Sequence, residues 1–187
     1  MGARVNFIKS TKAEKIFFES LPLKYRCMWR IGVETGLRIH DILHTKKKDV
    51  LSGKWYTKEH KTKKRKLCTV SSETIRLCEI YAKQNHTKYK RLLFYNPTTD
   101  NHFTRQSVWK MYRDRAVRAK LQFIGAHSSR HQSAYMEYLR TGDIEKVRKF
   151  LNHDNTNTTK LYLKNKRKSN KNSKKHNEMK EKRAKNE

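Results

Sequence analysis

Apolar residues recur at helical spacing along most of this chain, and the departures from that period fall mainly in one stretch. Residues 11–35 read as two helices. Ser10 or Thr11 can cap the first, with Ile16 and Phe17 turned inward. Pro22 sits near the first turn of the second, KYRCMWRIGVET, where proline is tolerated. In that helix Met28, Ile31 and Thr35 follow the 3.6-residue period, with Trp29 and Val33 flanking the same face. Gly36 is a natural left-handed stop, and Leu37 to Leu43 begins another short helix.

Between Lys48 and Val70 the texture changes. DVL, KWYT and RKLCTV are short runs rich in β-branched or aromatic residues, separated by Ser52-Gly53 and by His60 to Lys64. Two turn signals between three such runs predict a small three-stranded antiparallel meander. Ser71 or Ser72 then caps a helix bearing Ile75, Cys78 and Ala82, followed by a polar loop with Asn96-Pro97 and Asp100-Asn101. Thr104 opens a helix with Val108, Met111, Tyr112, Ala116 and Ala119 on one stripe, and Leu121 to Ile124 reads as a brief extended piece. Asp143 caps a helix holding Ile144, Val147 and Leu151, which Asn152 is placed to end. The fold class that follows is α+β, mainly α-helical, with one small antiparallel sheet.

Beyond Leu163 the apolar pattern stops. Eleven basic residues stand against three acids there, with one Met and one Ala as the apolar content. Such a segment cannot bury enough surface to fold alone, so 1–163 reads as the folded domain and 164–187 as a basic arm. Deleting that arm is expected to weaken DNA binding and flatten its salt dependence. The whole chain of 187 residues carries a formal charge of +29, which calls for a polyanionic partner, the phosphates of DNA or RNA being the usual one. No apolar run approaches a membrane span, and no helix pairs one basic face with one apolar face, so no membrane partner is expected. Three cysteines without C-x-x-C spacing predict neither a disulfide framework nor a zinc finger. The chain reads as intracellular, whether cytoplasmic and nucleoid-associated or virus-encoded.

The stretch from His127 to Tyr162 concentrates the chemistry. It places His127 and Arg130 at H-x-x-R spacing, then a helix, then His153, then a tyrosine nine residues on. Upstream lie Arg38, just after Gly36, and Lys61 in a turn, where Lys63 or Lys64 can take its place. A phosphodiester attacked by a hydroxyl gains negative charge on its nonbridging oxygens, and arginine forks suit those oxygens. Histidine adds a donor or base, and a lysine near the leaving oxygen is a general acid. A tyrosine phenol is a weak nucleophile at neutral pH and needs such neighbours. With these cations in place neither metal nor other cofactor is expected. His127 and His131 share the i, i+4 spacing of a zinc pair, but Ser128 stands where a metalloprotease needs glutamate.

TGLRIHDIL at 35–43, HKTKKRK at 60–66, HSSRH at 127–131 and FLNHDNTNTTKLYL at 150–163 resemble, in order, the signatures of the tyrosine recombinase (phage integrase) family. The resemblance covers about residues 10–163 and implies that family's catalytic-domain fold. It implies that Arg38 and Arg130 clamp the scissile phosphate, and that His127 and His153 donate to it or relay protons. Lys61 would protonate the leaving 5′ oxygen, and Tyr162 would form a 3′-phosphotyrosyl bond. Asp41 sits where the family has an acid that steadies the first arginine, and Lys63, Lys64 and Arg65 are expected to bind DNA. By the same resemblance four protomers act on two duplexes. Ser129, His40 and Asn152 depart from the family's commoner residues. So does the short segment before the catalytic domain, where the family usually carries a helical DNA-clamping domain. Strand relaxation of the type IB topoisomerase kind, or DNA binding by an inactive integrase-like module, are the other functions such a chain can serve.

Overall fold

The computed structural model describes residues 6–84 and 91–163, so the predicted basic arm lies outside the described residues. Helix α1 (Thr11–Ser20) is capped by the Ser10 side chain, which accepts from the Ala13 N–H. It buries Phe17, whereas Ile16 is 47% exposed, so only one of the two residues expected inside faces the core. Helix α2 (Leu23–Thr35) starts after Pro22 and ends at Gly36, whose φ of 65° is the left-handed stop expected there. It is the central helix, packing against α1, α5 (Ser72–Gln84) and α7 (Ser128–Thr141). Contact on several sides explains why its buried set, Tyr25, Cys27, Met28, Trp29, Ile31, Gly32 and Thr35, is wider than one stripe. The core centres on Phe17, Trp29 and Tyr112, whose rings meet edge to face at 4.9 to 5.9 Å.

Helix α3 (Ile39–Leu43) follows Gly36 directly, and α4 (Lys47–Leu51) comes next. The DVL run therefore belongs to a helix and not to a third strand. Ser52-Gly53 is its stop: Gly53 takes φ 75° and its N–H bonds back to the Val50 carbonyl. Three apolar residues are too few to separate a period of two from one of 3.6, and the glycine serves either ending. The sheet is thus a two-stranded hairpin, β1 (Lys54–Lys58) and β2 (Arg65–Thr69), paired antiparallel with Trp55 opposite Cys68. A second small antiparallel pair, β3 (Tyr95–Asn96) and β4 (Asn101–His102), lies in the polar loop before α6 (Arg105–Arg118). Leu121 to Ile124 is not extended but bends at Gln122 and Phe123, with Lys120 and Phe123 both at positive φ.

Helices α7, α8 (Ile144–Phe150) and α9 (Thr156–Leu163) form a compact C-terminal corner over a small cluster of Ala134, Val147 and Leu151. Helix α7 approaches α2 closely because a small residue stands on each side. A Cβ built on Gly32 would lie 2.3 Å from the Ser129 hydroxyl. Ser129, a departure from the commoner bulky residue, is therefore the side chain that this close approach accommodates. Among the described residues, no helix is long and apolar enough to cross a membrane.

Candidate active site

Four connections converge where the C-terminal end of α2 meets the start of α7. The left-handed turn at Gly36 throws Arg38 to the start of α3. The β1–β2 turn carries Lys61 at its exposed tip. His127 stands at the N-cap of α7 with Arg130 in its first turn. The left-handed turn at Asn152 brings His153 back beside α7, and α9 then delivers Tyr162. Asparagine is among the few residues besides glycine that tolerate that φ of 55°.

Arg130 is the hub. It is 0% exposed, and its Nη1 donates to the Gly36 carbonyl and, at 3.3 Å, to Glu59. Its Nη2 donates to the Leu151 carbonyl at 2.7 Å and to His153 Nε2 at 3.1 Å. Because Nε2 accepts from a guanidinium, the His153 proton sits on Nδ1 and points to the Thr159 hydroxyl at 3.0 Å. Burial, followed by the charges of Arg130 and Arg38, pushes His153 down to about 4, so it is neutral at pH 7. His127 is likewise pulled below its ordinary value, by burial first and then by Arg105, Arg130, Arg38 and Lys61. That set of charges marks His127 as the point on which the cations of four different segments bear.

Arg38 differs from Arg130. Its side chain is 14% exposed, and its recorded acidic partner is Glu59, at 3.1 Å. The acid that steadies Arg38 is therefore Glu59, not Asp41 as expected from position. Asp41 instead accepts the backbone N–H of His60 at 2.9 Å and so grips the hairpin. Glu59 is fully buried and bridges both arginines, with the Thr62 hydroxyl donating to its second oxygen at 2.7 Å. Burial by itself pushes its carboxyl up, but Thr62 and the charges of Arg130, Arg38 and Lys66 outweigh that and hold it down.

Tyr162 packs against this cluster. Its ring stacks on His131 at 4.2 Å and 19°, tilts against His153 at 4.9 Å, and lies 5.8 Å from the Arg130 guanidinium carbon. His131 also donates from Nδ1 to the Tyr162 carbonyl at 3.1 Å. This turns His131 toward α9. Among the described residues, no three His, Cys, Asp or Glu side chains form a group able to hold a metal ion.

The remaining basic residues lie on the hairpin's outer flank. Lys63 is exposed at φ 57°, Lys64 pairs with Asp154, and Arg65 lies over the Tyr56 ring at 3.9 Å. Lys66 is buried, donates to the Phe150 carbonyl and sits over the Phe150 ring. Burial, with Arg130 nearby, lowers it to about 8. Three participants escaped the sequence reading, Glu59, Lys66 and Thr159, while His131 entered it only as half of a rejected zinc pair. Only Glu59 carried a usable signal, as the one acid between Asp49 and Glu73. Beside the site, opening next to His127, is a cavity of about 920 Å³ between α6 and residues 121–127, with Arg105, Trp109 and Arg113 on its wall.

A profile of the phage integrase family matches residues 6–169. The probable integrase/recombinase YoeC of Bacillus subtilis (strain 168) is 32% identical over 134 residues, covering 71% of this chain and 72% of that protein. Among solved structures, XerA recombinase matches with a TM-score of 0.70 at 18% identity, over 89% of this chain and 62% of that one. A lambda integrase tetramer bound to a Holliday junction matches with 0.64 at 19% identity, over 91% and 52%. The chain thus spans between about half and two thirds of the solved chains it matches. Those two likenesses show the fold, while the family profile and the Bacillus relative show descent: the chain belongs to the phage integrase family of tyrosine recombinases and has its catalytic-domain fold.

Proposed function

We propose that this protein is a site-specific DNA recombinase or integrase that cuts and rejoins strands through Tyr162. The observation that carries the reading is the convergence, within one chain, of the Tyr162 ring with Arg130 and His153 while Arg38 shares Glu59 with Arg130. Arg38 and Arg130 hold the nonbridging oxygens of the scissile phosphate, with His127 as a further donor. The Tyr162 oxygen attacks phosphorus in line with the leaving 5′ oxygen, and its proton passes to a neutral imidazole of the site. As the bond to the 5′ oxygen breaks, Lys61 supplies the proton that oxygen takes up. The products are a 3′-phosphotyrosyl link and a free 5′ hydroxyl, and attack by a 5′ hydroxyl reverses the sequence. Fixed cations supply the charge that a metal ion would bring, so the step runs without one.

Double-stranded DNA is the substrate, supported by the charge of +29 and by Lys63, Lys64 and Arg65 on the hairpin flank. Four protomers on two duplexes is the working assembly, supported by the likeness to the lambda integrase tetramer on a Holliday junction. The protein acts inside the cell, in company with the DNA. Incubation with nicked duplex followed by denaturing electrophoresis tests the chemistry. Wild type traps a covalent protein–DNA band and Tyr162→Phe binds the same DNA without one. A covalent band from Tyr162→Phe, or none from wild type, overturns the reading.

A further inference from the structure

Four histidines that the chemistry above leaves idle form a continuous row. His60, at the hairpin tip beside Lys61, lies 4.2 Å from His40 on α3, centroid to centroid. His40 stacks on His44 at 4.2 Å and 21°, one helical turn on, and His44 meets His102 of β4 at 4.1 Å. The row crosses three separate elements. Two of its members are locked in place by the backbone: His44 donates from Nδ1 to the His40 carbonyl at 2.8 Å, and His102 donates to the Phe103 carbonyl at 2.6 Å.

The hairpin tip needs such a hold. Its internal bonds, Lys63 N–H to the Glu59 carbonyl and Glu59 N–H to the Lys64 carbonyl, set its shape, and the exposed Lys64–Asp154 pair touches only its far side. Glu59 anchors the base of the turn on the two arginines. On one side of Lys61, Thr62 is tied to Glu59; on the other, His60 meets α3 twice, through its N–H on Asp41 and its ring on His40. We propose that this histidine row is a latch that positions Lys61 for proton donation to the leaving oxygen, with His60 and His40 as positioning residues. The proposal rests on the assignment of Lys61 as the general acid.

A stack of neutral imidazoles is attractive, whereas two imidazolium ions at this spacing repel each other. The titrating and charged groups that bear on His40 are His44 and Asp41 from its own helix and His60 from the hairpin, while β4 adds His102 through His44. Burial, then His44 and His60, lower His40, and Asp41, 3.7 Å from its Nδ1, opposes them. A lowered histidine takes up fewer protons latched than unlatched. The latch therefore holds above the ordinary histidine value of about 6.5 and weakens as the pH falls below it.

Single-turnover cleavage of two nicked duplexes tests this, one with the ordinary 5′ oxygen at the scissile bond and one with sulfur there. Sulfur leaves as a thiolate and needs no proton. Lys61→Ala first tests the underlying assignment: it must lose on the order of 10²-fold on oxygen and recover on sulfur. If it does not, the general-acid reading fails, whatever the histidines do. Given that result, the latch requires His60→Ala to lose about tenfold on oxygen and little on sulfur, as a misplaced donor would. It requires His60→Phe, which stacks but does not titrate, to restore most of that loss. The oxygen-to-sulfur rate ratio, which cancels titrations that do not act on the leaving group, should fall in acid for wild type and flatten for His60→Phe. Exchange of the backbone amide at position 60 should quicken in both His60→Ala and His40→Ala. Equal losses on both substrates, no rescue by phenylalanine, or unchanged amide exchange overturns the proposal.

Discussion

The two arginines assigned to one phosphate live in different surroundings. Arg130 is sealed in, with both terminal nitrogens committed to two backbone carbonyls, a histidine and a glutamate. Arg38, 14% exposed, leans on the same glutamate from the mouth of the site. Arg130 thus welds α2, the hairpin, α7 and the α8–α9 turn into one body, and the bonds at its two terminal nitrogens offset its burial whether or not DNA is present. Arg38 leaves more of its fork for a ligand. Floor and rim of the same site are built on opposite principles: the floor holds geometry, and the rim keeps capacity.

Glu59→Gln strikes the floor and should show the largest effect. It leaves Arg130 buried without its counter-charge, at a cost of about 3–5 kcal/mol by thermal or urea unfolding. A variant as stable as wild type would mean that the backbone carbonyls alone hold the arginine. Acid should act on the floor next. His153, held near 4, binds fewer protons folded than unfolded, so stability is complete above about 6.5 and declines as the pH falls toward 4. The full loss is about 3 kcal/mol, read from unfolding midpoints across that window and absent in His153→Gln.

Gly32→Ala tests the close approach of α2 and α7 beneath the floor. The added methyl meets the Ser129 hydroxyl, and the expected cost is about 1–3 kcal/mol by unfolding. The smallest effect belongs to the rim: Asp154→Asn removes the exposed partner of Lys64 and should leave the melting temperature unchanged. A clear drop there would show that the hairpin flank is structural after all.

Much of this was legible along the chain because it depends on neighbours in sequence. Ser10, Thr104 and Asp143 cap their helices through side chains that reach two or three residues on. Gly36 and Asn152 take the left-handed turns their positions call for. Arg38, Lys61, His127 and His153 likewise lie beside a stop, turn or cap that the sequence shows, whereas their proposed roles came from the family resemblance. The DVL run was misread because a three-residue pattern carries no period. Ile16 was misplaced because adjacent residues on a helix do not face the same way.

By itself, then, the sequence determined most of the helices, several of their ends, the excess of positive charge and which side chains are candidates for the chemistry. Tertiary structure alone decided which acid serves which cation, giving Glu59 to both arginines and Asp41 to the hairpin backbone. It also decided that His131 lies under Tyr162 and that four scattered histidines line up. Caps and stops are settled by dihedral angles and bonds a few residues long, so they can be read locally. Partnerships among buried charges depend on which segments meet across tens of residues and on how little water remains there to stand in for a missing partner.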